Sequence, residues 1–269
     1  MVSRTPRAAT LRRSTHPAQP LPRRDRGTTA GALVVALASW EVLVRVSNTP
    51  VYLLPAPSLV FHTLAQHLPT YLQAALITFG EAWLGLLLGA GVALCTAILV
   101  TLWPRVEQGV MSLAILVKST PLVVIAPLLT IWLGFGWQPK VIITALVTFF
   151  PILVNALVGL QTITPSLHDL FRVWRASRWE ALWHLRLPHS LPHLFAGLKV
   201  SAPLALIGAI VAEWTGASGG LGRTMWLAYT NLNLPFLFAA IFVVTAAGIA
   251  LYQIISHVER RMAYWRPIP

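Results

Sequence analysis

The sequence predicts an all-α membrane protein with six transmembrane helices, and three observations lead there. Of its 269 residues, 56% are hydrophobic and only 10% are charged, against about 25% charged in a soluble domain. The apolar residues gather into blocks of roughly 20 residues, the length of a spanning helix, rather than into the alternating strands of a barrel. The lysines and arginines fall almost wholly in every second connection between blocks, the pattern that orients a membrane chain.

Taken in order, residues 1–29 hold seven arginines and Asp25 among Pro, Ser and Thr and read as a disordered basic cytoplasmic tail. The absence of an A-x-A-like cleavage site after the next apolar run argues against a signal peptide. The membrane domain then runs over residues 30–258. Its first block, Ala30 to Val46, carries Trp40, Glu41 and Arg45, the last two at a spacing that allows them to pair. Pro55, Pro57 and Ser58 predict a turn, with Ser58 capping a short amphipathic helix. The second span, Ala74 to Trp103, contains Gly80, Gly85, Gly89 and Gly91, which suit close helix approach in a bilayer. The third, Gly109 to Leu133, carries Lys118 and is broken by Pro121 and Pro127. Such breakers are tolerated where protein or water re-satisfies the backbone. The fourth, Val141 to Ile163, holds Pro151 and Asn155. The fifth, Leu194 to Trp214, contains Pro203 and has Glu213 at its end. The loop Thr215–Arg223 has four glycines, and Pro235 to Ile255 is the sixth span. Residues 259–269 form a basic C-terminal tail.

Six spans put both termini on one side. The N-terminal tail, Arg105, the 167–188 stretch and the C-terminal tail hold fifteen of the 20 lysines and arginines, and the opposite loops hold only Lys140 and Arg223. That asymmetry predicts cytoplasmic termini. It also accounts for most of the net charge of +12, so the expected partner is the lipid bilayer and not nucleic acid. The single Cys95 excludes a disulfide within the chain and a Cys-rich metal site. His189 and His193 straddle Pro192 without a nearby carboxylate, so no metal is expected. None of the three lysines ends a G-x-x-x-x-G-K-[ST] loop, so any nucleotide hydrolysis must occur on another chain. No paired acids or Ser–His–Asp set suggests an enzyme.

The stretch Leu167 to Pro188 is the long polar interruption of the C-terminal two thirds. It carries Arg172, Arg175, Arg178, Arg186, Asp169 and Glu180. Ser177-Arg178-Trp179-Glu180 is a capping box, in which hydroxyl and carboxylate satisfy the first amides of a helix. The residue before a proline is pushed out of the α region, so a short helix of about Arg178 to Leu187 is expected to end at Pro188, outside the bilayer. Trp179 and Trp183 share one face of it and suit either a partner groove or the membrane interface. Within the spans, Lys118, Glu41, Glu81 and Glu213 are costly in hydrocarbon and functional suspects by default. Each also has a structural reading: carbonyls freed at Pro121 could hold Lys118, Glu81 is near the outer end of its span, Glu213 could be interfacial, and Asn155 could bond across helices.

Residues 169–188 resemble the cytoplasmic loop signature of the inner-membrane permease subunits of ATP-binding-cassette importers: E-A-A, three residues, G, nine residues, I-x-L-P. Asp169 stands at the Glu position, Leu170 and Phe171 at the alanines, Arg175 at the Gly, and Leu185-Arg186-Leu187-Pro188 at the end. Leu54-Pro-Ala-Pro-Ser58, Ala126-Pro-Leu-Leu-Thr-Ile-Trp-Leu-Gly-Phe-Gly136, Phe150-Pro-Ile-Leu-Val-Asn155 and Gly220-Leu-Gly222 look like the nitrate/sulfonate/taurine and pyrimidine-precursor branch. The resemblance covers nearly the whole chain after residue 30. It implies a type I importer permease fold with a cytoplasmic coupling helix in a loop at 164–192. Asp169, Arg175, Ala176, Ser177, Arg178, Trp179, Glu180, Trp183, Leu185, Leu187 and Pro188 would couple to a separate cytoplasmic ATPase, which would hold the ATP and Mg; this chain would bind no cofactor. It further implies a second permease copy, an extracytoplasmic substrate-binding protein, a bacterial inner-membrane location, and a small organic solute (a vitamin or pyrimidine precursor, or sulfonate- or nitrate-like). Lys118, Pro121, Trp132, Asn155 and Glu213 are the expected translocation-path residues. Arg175 departs from the signature and would cost about 1 kcal/mol if the left-handed turn is kept. The alternative is a secondary transporter driven by an ion gradient, which would also account for Lys118 and the broken third span.

Overall fold

The computed structural model describes residues 26–263. Residues 1–25 and 264–269, and with them most of both predicted basic tails, lie outside the described residues. Among the described residues every regular element is helical. Eleven α-helices follow one another: α1 (Arg26–Val46), α2 (Pro57–Gln66), α3 (Leu68–Leu102), α4 (Glu107–Ser119), α5 (Leu122–Leu133), α6 (Gln138–Gln161), α7 (Pro165–Val173), α8 (Arg178–Ala181), α9 (Leu187–Trp214), α10 (Leu221–Thr230) and α11 (Leu234–Met262).

Four stretches among the described residues are long and apolar enough to cross a membrane: α3, α6, the continuous helix Arg178–Trp214, and α11. The third predicted span is a pair, Pro104–Ser119 and Leu122–Leu133, bent by 92°. Counted as one span, it makes five. The first predicted span corresponds to α1, a 21-residue helix carrying Glu41 and Arg45, which falls outside that set. The bend has a simple cause. Pro121 pushes Thr120 out of the α region, and Thr120 has ψ 124.

Ser58 is not the cap of α2. The helix begins one residue earlier, at Pro57 after Ala56. The Ser58 amide and hydroxyl donate to the Glu41 carboxylate at 2.9 and 2.8 Å. Glu41 also meets the Arg45 guanidinium at 2.6 Å, as its spacing predicted. A carboxylate from α1 thus satisfies the positive end of α2.

The centre of the fold is α6, which packs along both α3 and α9 in the most extensive helix contacts of the chain. Ile152, Leu153, Ala156 and Leu160 of α6 share one buried cluster with Leu86, Ala93 and Ala97 of α3 and Ala202, Ala205 and Leu206 of α9. Alanines dominate the interior, while large apolar residues such as Leu84, Leu88, Val92 and Ile249 are exposed, as suits a lipid-facing surface. Two of the four predicted glycines of α3 do the close packing. A Cβ on Gly85 or Gly89 would lie 2.8 Å from the Val141 or Ala145 carbonyl oxygen of α6, whereas Gly80 and Gly91 face open space.

The expected helix end at Pro188 is overturned. Arg178–Trp214 is one helix of 37 residues. A widened turn, Leu182–Arg186, precedes the proline, and the Leu187 amide donates five residues back to the Leu182 carbonyl. Proline cannot donate, and its ring collides with the carbonyl four residues earlier in a regular helix. A wider turn displaces that carbonyl and lets the helix pass through.

Candidate functional site

The polar stretch 167–188 is built as two capped helices meeting at a sharp joint. Helix α7 closes with Arg175 at φ 51, and the Ala176 amide donates to the Phe171 carbonyl at 3.1 Å. This is the six-residue closure of a Schellman motif, normally completed by glycine. The left-handed turn is therefore kept although a β-carbon opposes it, at a cost of about 1 kcal/mol. Helix α8 starts directly afterwards. The Glu180 amide donates to Ser177 Oγ at 3.2 Å, and the Ser177 amide donates to Glu180 Oε2 at 2.6 Å. The predicted capping box is complete.

Two faces emerge from this start. Trp179 and Trp183 are 56% and 62% exposed, and Asp169, Arg175, Ser177, Arg178, Glu180 and Pro188 share the exposed side of the region. Leu182 and Leu185 are buried, and Ala176 and Leu187 are half-buried. Leu185, expected to face a partner, thus packs inward. The Arg186 guanidinium donates to the Leu160 carbonyl at 3.3 Å, satisfying a carbonyl that the end of α6 leaves open and fixing the new helix to it. A cavity of about 540 Å³ lies beneath the joint, between Thr101 and Pro104 at the end of α3 and Phe171, Ser177, Arg178 and Arg186.

The five expected path residues do not form one site. Lys118 and Asn155 line a cavity of about 370 Å³ at the break between α4 and α5, with Thr120 and Leu122 on either side of Pro121. Lys118 Nζ stands 4.4 Å over the Phe150 ring, and Asn155 Nδ2 donates to the Pro151 carbonyl at 2.8 Å. Trp132 is exposed near the end of α5 and lines no part of this cavity. Glu213 is 1% exposed and belongs to a second cluster. Its carboxylate accepts from Thr78 Oγ1 at 2.6 Å and from the Gly222 amide at 2.5 Å. The Leu221 amide donates to Thr78 Oγ1 at 2.7 Å. Glu213 thus caps the start of α10 from within the protein.

Sequence reasoning missed two members of that neighbourhood, Thr78 and Lys140. Lys140 is 6% exposed, donates to the Gly136 and Phe135 carbonyls at 2.7 and 3.3 Å, and lies 3.8 Å from Glu81 Oε1. A readable signal existed. A cation in the first turn of α6 opposes the helix dipole, so its place there implies specific acceptors. Thr78 offered no such signal, since a threonine in an apolar helix usually bonds its own backbone. Lys199 was also missed; it pairs with Glu259 between α9 and α11.

The comparisons agree with this architecture. A family model described as binding-protein-dependent transport system inner membrane component matches residues 89–264. The formylaminopyrimidine transport permease protein ThiX of Halalkalibacterium halodurans is 34% identical, over 87% of this chain and 93% of its own. A probable ABC transporter permease protein of Haemophilus influenzae is 30% identical, over 86% of this chain and 94% of its own. Among solved structures, the MetNI methionine ABC transporter matches with a TM-score of 0.66 at 15% identity, over 73% of this chain and 98% of the other; that likeness is one of fold. The chain belongs to the binding-protein-dependent transport system inner membrane components, the permease subunits of ABC importers.

Proposed function

We propose that two copies of this permease pair in a bacterial inner membrane with their termini in the cytoplasm, and that each docks a separate ATPase through the capped end of Arg178–Trp214. The substrate is a small organic solute of the vitamin- or pyrimidine-precursor or sulfonate- or nitrate-like kind, handed over by an extracytoplasmic binding protein. Relatives named for formylaminopyrimidine, riboflavin and aliphatic sulfonates support that range. ATP and Mg belong to the ATPase subunit. The exposed residues from Asp169 to Pro188 form the docking face, with Leu185 and Leu187 holding it to the core from behind.

The observation that carries this reading is the continuity of the 37-residue helix with its capped and tryptophan-bearing end. A displacement applied at Trp179 or Trp183 passes into the span without a joint. The capping box keeps the loaded end from fraying. Charge asymmetry supports the orientation.

Tagged chain solubilised from its native membrane tests the proposal. A P-loop ATPase should co-purify, and substitution of Trp183 by cysteine should allow a crosslink to it. Transport that persists without ATP and collapses with a protonophore would favour the secondary-transporter reading and overturn this one.

A further inference from the structure

We propose that the cavity at the α4–α5 break is a binding site for a small organic anion, with Lys118 as its counter-charge. This inference rests on the permease reading and narrows its substrate class. Three observations lead to it. Lys118 has no carboxylate partner among the described residues; its ammonium rests on the Phe150 ring instead. Phe150 lies halfway along the 24-residue α6, so the ammonium stands at mid-depth of a spanning helix. The remaining wall, including Ile125, Leu146, Val147 and Val154, is almost wholly apolar.

An ammonium is costly in such surroundings unless something balances it. The ring face offers only a partial, quadrupolar balance. A carboxylate or sulfonate entering the cavity would supply the full counter-charge, and its apolar body would meet Val147 and Val154. A cation would meet like charge. A neutral solute would have to displace the ring contact without replacing its electrostatics. Asn155 adds direction. One of its amide hydrogens is committed to the Pro151 carbonyl, while the other hydrogen remains for an anionic head. The cavity volume of about 370 Å³ falls within the range of small-ligand sites. Lys118 is lost from this role if it serves only to bond carbonyls at the Pro121 break, and no such bond joins it to them among the described residues.

The test uses the full chain in phosphatidylcholine nanodiscs, whose headgroups carry no net charge. Cys95 is exposed, so the background is Cys95→Ser, and Val147→Cys reports on the cavity through its rate of alkylation by N-ethylmaleimide. Benzoate at about ten times its Kd should slow alkylation by about tenfold, while benzamide and benzylamine should not. Lys118→Gln should abolish the protection, and Lys118→Arg should retain it, which separates lost charge from lost fold. The proposal is overturned if benzoate gives no protection, if benzamide protects equally, or if Lys118→Gln leaves protection intact. Nanodiscs containing phosphatidylglycerol distinguish a lipid source, because protection without added benzoate would then assign the site to a headgroup and overturn the substrate reading. Co-purification of an ATPase is scored separately and reads the permease role alone.

Discussion

Glu213 Oε2 accepts the Gly222 amide at 2.5 Å, so a buried carboxylate from the end of one helix caps the start of the next. Thr78 completes the link from α3 by donating to Glu213 and accepting from Leu221. Three helices are thereby tied at one point beside the glycine-rich loop. A Cβ at Gly222 would lie 2.8 Å from the same carboxylate oxygen, so glycine is required there for the close approach.

Glu213→Ala should therefore release the loop. The Gly222 amide loses its partner, the Thr78 hydroxyl is left with only the Ala74 carbonyl at 3.2 Å, and a buried group left unsatisfied costs about 1–3 kcal/mol. The measurement is the alkylation rate of Ser218→Cys, an exposed loop position, which should rise. Glu213→Gln keeps an acceptor and should raise it less. Equal rates in all three proteins would show that the loop is held by something else.

Glu180→Ala removes the reciprocal half of the capping box. The loss should be about 1 kcal/mol of local helix stability. Membrane insertion should be unchanged while coupled ATPase activity falls, because the capped end is the proposed docking point. Arg175→Gly works in the opposite direction. It relieves about 1 kcal/mol of left-handed strain and should slow hydrogen exchange at the Ala176 amide, which closes the α7 turn.

Much of this architecture was legible in the chain. Apolar blocks indicated the helices, and Ser177 with Glu180 announced a helix start that formed as expected, because both partners are local. What escaped depended on distant partners. Ser58 looked like a cap because nothing near it in sequence revealed that Glu41, 17 residues away, would fill that role. Nothing near Glu213 in the sequence revealed its partner Thr78, 135 residues distant. Among the glycines of α3, only the facing helix decides that Gly85 and Gly89 are contacts and Gly80 is not.

Gly89 gives the clearest packing prediction. Gly89→Val would drive two methyl groups into the Ala145 backbone and Thr148. Overpacking of this kind costs about 1–3 kcal/mol, and the α3–α6 contact has no room to relax. Gly91→Val, facing open space, is the matched control. Thermal unfolding in detergent should drop for the first and hold for the second.

The widened turn at Leu182–Arg186 has two possible causes, and their sizes predict which one holds it. Pro188 forbids a regular turn, but the turn also sets which residues face the core. Removing the one extra residue from the turn would rotate α8 by about 100° against α9, since a helix has 3.6 residues per turn. That rotation would expose Leu182 and Leu185, now buried, at about 1.5–3 kcal/mol each. The regular hydrogen bond gained in exchange contributes only about 1 kcal/mol. Pro188→Ala should therefore leave the wide turn in place. Trp183→Cys should stay reactive to maleimide and Leu185→Cys protected in that background. Labelling of Leu185→Cys would mean that the proline alone maintains the turn, and that the face presented by Trp179 and Trp183 is set by this one residue.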